Sequence, residues 1–330
     1  MIHLRKDELK IKKAHRDFVT RMQPYIFKRI DNLQKCEHIK SLATVRKSEV
    51  TRYFDTLINS NIDSILGGTP EQIDVINRGI NEFALPGSDL YKAIKYVFNY
   101  SGFIDKTKSR YCAYDLALAL EMDTCTYCNR NYTNTIITRK GEKLVRPQFD
   151  HFFNKDKNPL LALSFYNLIP SCSICNTNIK LEKEFNLDIC NTNIKLEKEF
   201  NLFSHIHPYL DDIIHDFSFS YDYSAETKSG LKILVMHSSP SKIGKTFEDM
   251  SLEIIYNSHI GELKDLLDIR AKFSDKYLAI LSKEILTPYN INQTELYRLA
   301  FGAELLEKDF YKRPLSKFKK DILKELNIVI

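Results

Sequence analysis

Apolar residues recur at intervals of three and four in Ser48 to Ile58 and again in Leu90 to Phe98, the spacing that gathers them on one helix face. Leu66-Gly67-Gly68-Thr69-Pro70 breaks this rhythm and predicts a fresh helix, with Thr69 as N-cap and Pro70 in its first turn. A further helical stretch from Arg110 to Glu121 runs up to Cys125. The period then changes. Tyr132 to Thr138 and Leu144 to Phe149 are rich in β-branched and aromatic residues and flank Arg139-Lys140-Gly141-Glu142, which predicts a hairpin. Phe217 to Tyr223 alternates apolar and polar residues, Gly230 ends a polar turn and Leu231 to Met236 follows, predicting a second hairpin. From Gly261 onward the pattern is helical again, interrupted at Pro288 and Pro314. The expected class is therefore α+β, with a helical region over 1–120, a central region over 121–210 and a mixed hairpin and helical region over 211–330.

One segment breaks every periodic scheme. Ile174 to Leu187 is repeated without change as Ile189 to Leu202, a tandem period of 15 residues. Solenoid units are longer and drift in sequence, so an unchanged copy points to a recent in-frame duplication or to an error of sequence assembly. On a continued helix, 15 residues would set the second copy out of phase with the first by ~60°. The second copy is expected to extend or loop out and not to supply a core element.

Composition narrows the class further. With 43% hydrophobic and 28% charged residues the 330-residue chain is ordinary for a globular protein, and no stretch approaches ~18 uncharged apolar residues. Charges stand at Arg5, Lys6, Asp7 and Glu8, where a signal peptide needs apolar residues, so a cytoplasmic location is expected and no membrane partner. A formal charge of +5 means that contact with nucleic acid must come from local patches. The first thirty residues hold nine Lys and Arg against three acidic residues. A second run lies at Lys312-Arg313, Lys317 and Lys319-Lys320. A solvated helix face is the ordinary reading of both runs, and contact with phosphates or a partner the sharper one.

Seven cysteines, at 36, 112, 125, 128, 172, 175 and 190, do not suit a disulfide framework. Cys125-x-x-Cys128 and Cys172-x-x-Cys175, separated by 43 residues, can instead present four thiolates to one structural Zn2+. Only the first copy of the repeat completes a C-x-x-C, because the position 15 residues after Cys172 is Leu187; Cys190, Asn191 and Lys195 are then surplus to the site. Cys36 and Cys112 read as buried free thiols.

Between the knuckles the chain reads Arg146-Pro147-Gln148-Phe149-Asp150-His151-Phe152-Phe153, then Asn167-Leu168-Ile169-Pro170-Ser171-Cys172, with Asn176 directly after Cys175. A strand ending in Asp-His, an Asn before the second knuckle and an Asn after its last Cys together resemble the HNH endonuclease motif of the ββα-metal nucleases. The third position here is Asn176, where His is commoner. The wider wording, with His207-Pro208-Tyr209, is similar to HNH proteins of bacterial anti-phage loci, among them the nuclease subunit of Septu-type systems.

The resemblance implies metal-dependent hydrolysis of phosphodiester bonds, DNA favoured over RNA, in anti-phage defence. His151 would be the general base and Asn167 would hold the loop and orient the His151 ring. Asp150 and Asn176 offer hard oxygen donors for a catalytic Mg2+ or Mn2+. Lys180 and Arg146 are candidates for binding phosphate. An ATPase partner is implied too, and it must be another chain, since no G-x-x-x-x-G-K-[ST] occurs here. The cysteines alone fit equally a nucleic-acid-binding or scaffold subunit without catalysis. His205 and His207 alternate as two ligands on a strand would; packing or capping is the expected role of His207.

Overall fold

The computed structural model describes residues 4, 8–35, 50, 54, 61–81, 83–107, 110–180, 199–238, 241–273, 280, 281 and 291–328. The expected helix over Ser48 to Ile58 lies almost wholly outside these residues, as do Cys36, Cys190, Asn191, Lys195 and Pro288.

The N-terminal region is helical, as expected. Helix α1 (Glu8–Lys35) turns Ile11, Ala14, Phe18, Met22, Ile26, Ile30 and Leu33 inward, a stripe at intervals of three and four that buries one face along its length. Around it stand α2 (Ile62–Gly67), α3 (Pro70–Asn81), α4 (Asp89–Val97), α5 (Tyr100–Ile104) and α6 (Ala113–Leu120). The predicted start of α3 is a reciprocal cap: Gln72 N donates to Thr69 Oγ1 at 3.4 Å and Thr69 N to Gln72 Oε1 at 2.9 Å. Ser88 caps α4 by accepting from Tyr91 N.

The first hairpin is shorter than its pattern suggests. Strands β1 (Ile136–Ile137) and β2 (Lys143–Val145) pair across a turn that contains Gly141 at φ 85°. The stretch expected as one strand from Leu144 to Phe149 divides at Pro147, which has no N–H for a ladder. Beyond it β3 (Gln148–His151) pairs antiparallel with β4 (Leu168–Ser171), Gln148 opposite Ser171 and His151 opposite Leu168. A π-helical turn, Ile174–Ile179, follows β4 directly.

The second hairpin forms as predicted from β5 (Phe217–Tyr223) and β6 (Leu231–His237). Both outer edges are closed by side chains. Phe219 N donates to Asp321 Oδ2 at 2.9 Å, and Asn257 bonds both the N–H and the carbonyl of Ile233. The remaining helices are α7 (Lys242–Asp249), α8 (Leu252–Tyr256), α9 (Ile260–Phe273), α10 (Gln293–Phe301) and α11 (Ser316–Glu325). Residues from all three regions contribute to one continuous buried cluster. Among the described residues no helix is long and apolar enough to cross a membrane.

Candidate metal centre and histidine site

Cys125, Cys128, Cys172 and Cys175 converge. Their sulfurs lie within 4.8 Å of one another, all four residues are buried, and Cys128 Sγ and Cys172 Sγ are 4.0 Å apart. A zinc with four Zn–S bonds of ~2.3 Å requires sulfurs about 3.8 Å apart, so the cluster is the size of a structural zinc site. Two amides serve the sulfurs: Arg130 N donates to Cys128 Sγ at 3.4 Å and Asn131 Nδ2 to Cys172 Sγ at 3.3 Å. Hydrogen bonds from the neighbouring thiols, Cys125 first, hold Cys172 well below the ordinary thiol range, while burial pushes Cys125 up. Each knuckle is a tight turn. In the first, Asn129 N donates to Cys125 O at 2.8 Å, and in the second Asn176 N donates to Cys172 O at 3.0 Å.

The first knuckle is also fastened from behind. Asn129, at φ 48°, donates through Nδ2 to Phe310 O and Arg313 O, and Tyr256 Oη donates to Cys128 O at 2.6 Å. Arg130 reaches Ile255 O and the His259 ring. The cysteine centre therefore joins the central region to the C-terminal one.

His151 ends β3. It is buried, its ring meets the Tyr100 ring edge-on at 4.4 Å, and its Nε2 lies 3.0 Å from Ala162 O. A carbonyl can only accept, so Nε2 carries the proton and Nδ1 keeps a free lone pair. Burial lowers the His151 pKa from 6.5 to about 4, against the pull of the Ala162 carbonyl and of Asp150, and the ring is neutral at pH 7. No hydrogen bond joins the Asn167 side chain to His151 among the described residues. Asn167 clamps the loop instead, accepting from Phe153 N at 2.7 Å and donating to Phe153 O and Leu161 O at 3.1 and 2.8 Å. Leu161 precedes Ala162, so Asn167 acts on the ring through the carbonyl that holds it.

Asp150 and Asn176 have different hydrogen-bond partners. Gln148 and Asp150 share one face of β3, but Asp150 Oδ2 accepts from Tyr127 Oη at 2.6 Å and from Lys180 Nζ at 2.7 Å. Asn176 Nδ2 donates to Gln148 Oε1 at 2.8 Å. Lys180 departs most from expectation. A lysine on an exposed helix face could meet a phosphate, but this one is 4% exposed and also donates to His151 O at 2.6 Å. The π-helical spacing, with Lys180 N donating to Cys175 O, turns its stem inward. Arg146 stays half-exposed, over the rings of Tyr114 and Phe149 at 5.6 and 5.9 Å.

Several residues of the site carried no signal in the sequence. Tyr127, inside the first knuckle, links the cysteine centre to Asp150. Tyr100, whose hydroxyl burial raises to about 12, supports the His151 ring from α5. Phe200 is the more telling case. It belongs to the second copy of the repeat, yet it is buried against Tyr127, Phe152 and His205, with Lys180 Nζ 4.5 Å above its ring. The second copy thus does supply a core residue, because its end adjoins the segment leading to His205.

His207 packs as expected, 4.3 Å from the Phe152 ring, and His205 pairs with Asp249 at 2.9 Å. Cys112 is buried at the start of α6. Beside His151, a cleft of about 270 Å³ is lined by Lys95, Asn99, Tyr100, Lys155, Asp156 and Ala162. Lys95 and Lys155 share the Asp156 carboxylate at 2.8 and 2.6 Å, which leaves one net positive charge there. No family model, no curated protein and no solved structure matches this chain.

Proposed function

We propose that this chain is a zinc-stabilised nuclease of the HNH type that hydrolyses phosphodiester bonds in nucleic acid, DNA favoured, as an anti-phage effector beside a separate ATPase subunit. One observation carries the reading. The strand that ends in Asp150-His151 pairs with the strand that runs into the second cysteine knuckle and the helical turn bearing Asn176, and all three are locked onto one four-cysteine cluster. Zinc is the cation assigned to the cluster, because four thiolates are a soft donor set.

The neutral His151 ring, its Nε2–H given to Ala162 O, would take a proton at Nδ1 from the attacking water. Lys95 and Lys155, with the net charge of their cleft, would hold the phosphodiester. The catalytic Mg2+ or Mn2+ that the resemblance implies does not fit Asp150 as it stands. Its Oδ2 already holds the Lys180 ammonium and the Tyr127 hydroxyl, so a cation occupies the place of the ion and no step is assigned to it. The same pairing favours the second reading, a zinc-stabilised nucleic-acid-binding subunit without catalysis.

Plasmid nicking by the purified chain in Mg2+ or Mn2+ decides between the two. The nuclease reading expects nicking that falls on the order of 1,000-fold in His151→Ala. Equal nicking by both proteins, or none from the folded, zinc-loaded wild type, leaves the binding reading.

A further inference from the structure

The two basic runs of the sequence differ in how their charge is met. In the C-terminal basic run Lys312 pairs with Asp309, Arg313 with Glu304, Lys317 with Asp321, Lys319 with Glu262 and Lys320 with Glu307. That run is neutralised and presents no surplus charge to a polyanion. Three arginines on the opposite half of the chain differ. Arg29, Arg110 and Arg146 form no ion pair among the described residues, and each guanidinium lies over a tyrosine ring.

The Arg29 carbon Cζ is 4.0 Å from the Tyr96 ring centre, that of Arg110 is 4.3 Å from Tyr25, and that of Arg146 is 5.6 Å from Tyr114. Each also fastens to one main-chain carbonyl: Arg29 Nε to Tyr96 O, Arg110 Nη2 to Gly102 O and Arg146 Nη1 to Pro147 O. A guanidinium has five N–H donors, so most of each fork is left for a further acceptor. Stacking fixes the fork before any ligand arrives, which lowers the entropy lost on binding.

The three are linked in one line. Arg146 lies over the ring of Phe149, whose carbonyl accepts from Tyr100 Oη at 3.2 Å, and Tyr100 meets His151. Tyr100 begins α5, whose Gly102 carbonyl holds Arg110. Arg110 and Arg29 then share the Tyr25 ring, at 4.3 and 5.5 Å. Gly102 makes the middle of the line possible. A Cβ there would meet Arg110 Nη2, Asn99 Nδ2 and Tyr25 Oη, each at 2.9 Å.

We propose that Arg146, Arg110 and Arg29 form a track for the sugar-phosphate backbone of duplex DNA, starting beside the His151 cleft and running over α5 and α1. The inference rests on the nucleic-acid reading above. Its basis is charge complementarity: three preorganised forks without carboxylates, on a chain whose other basic run is neutralised. Arg pairs with phosphate bidentately, so the track positions the backbone and reads no bases.

Fluorescence anisotropy with a labelled 20-base-pair duplex, without added divalent cation and over a range of salt, tests it on the full chain. In Arg29→Gln/Arg110→Gln/Arg146→Gln the slope of log affinity against log salt should fall by about 3, and affinity at 100 mM salt on the order of 100-fold. A control, Lys272→Gln/Lys312→Gln/Lys320→Gln, makes the same change in charge elsewhere and should keep the wild-type slope. Gly102→Ala keeps every charge but displaces Arg110 and Tyr25, and it should weaken binding roughly 5-fold or more while the fold survives.

Melting temperature and zinc content certify each variant. Should the triple variant not fold, Gly102→Ala and the single Arg→Gln proteins decide. Wild-type affinity and slope in the arginine variants overturn the track, as does a wild type that ignores duplex DNA or takes single-stranded RNA in preference. The two proposals fail separately. Nicking by the wild type with arginine-independent binding removes the track and leaves the nuclease, whereas arginine-dependent binding without nicking leaves the track and removes the nuclease.

Discussion

At the scale of single residues, buried polar groups at the end of β3 and around it dominate the site. Lys180 and Asp150 are 4% and 5% exposed and 2.7 Å apart, so each is the other's main compensation for leaving water. Lys180→Met strands a buried carboxylate with Tyr127 as its remaining donor, and urea denaturation should show a loss of about 3 to 5 kcal/mol. Asp150→Asn/Lys180→Met removes both charges and keeps an acceptor for Tyr127, so it should return to within about 1.5 kcal/mol of wild type. A double variant as unstable as the single one would mean that Lys180 stabilises by packing on Phe200 and not by charge. His151 sets a dependence on pH with a definite sign. Burial lowers its pKa from 6.5 to about 4, so the folded state resists a proton that the unfolded chain accepts. Its contribution is complete above pH 6.5 and is lost as pH falls toward 4, amounting to about 2 kcal/mol between pH 7.5 and pH 5. His151→Gln should flatten that part of the stability curve relative to wild type at equal zinc loading. Parallel curves for the two proteins would place the acid sensitivity elsewhere.

At the scale of elements, the cysteine centre ties together segments distant in sequence. Its knuckles lie after α6 and after β4, and the first is bonded to Ile255, Tyr256, Phe310 and Arg313 as well. Structural zinc contributes roughly 10–16 kcal/mol in small peptides, more than most domains have in total. Native mass spectrometry should find one zinc per chain, and Cys175→Ser should lose it. Stripping the metal with a chelator should remove amide protection from β3, β4 and α11 together; protection retained by α11 would show that the C-terminal elements stand without the centre. These elements were unequally legible in the sequence. The paired C-x-x-C spacing discloses the four converging cysteines, and local patterning discloses β5 and β6 almost to the residue. The division at Pro147 was readable in principle, since proline cannot donate to a ladder, but the surrounding β-branched residues outweighed it. Lys180 departs from its sequence pattern for a different reason. Counting helical faces assumes 3.6 residues per turn, and the turn from Ile174 to Ile179 is wound more loosely, which sends the side chain inward. The partnership of Asp150 with Tyr127 spans 23 residues, and nothing periodic announces it.

At the scale of the whole molecule, the duplication is shared between its two copies. The first supplies Cys175, Asn176 and Lys180, the second supplies Phe200, and Lys180 Nζ sits 4.5 Å over the Phe200 ring. A single copy would need both functions from one stretch. Deleting Leu181 to Lys195 joins Lys180 to Leu196 and restores one uninterrupted Ile-Cys-Asn-Thr-Asn-Ile-Lys-Leu-Glu-Lys-Glu-Phe-Asn-Leu before Phe203. Phe200 then follows Lys180 by five positions, the spacing that Phe185 has in the first copy, so the chain between the two contacting residues keeps a native wording. Every residue that touches the cysteine centre or His151 in the described structure is retained. Fewer residues between two anchored points also lowers the entropy of closing that segment, by about 0.6 kcal/mol for each halving of its length. The deleted protein should therefore bind one zinc, melt no lower than the full chain and keep the acid response of His151. A fall in melting temperature of more than about 5 °C, or loss of the zinc, would show that the copies are not interchangeable and that residues between Leu181 and Lys195 hold the fold.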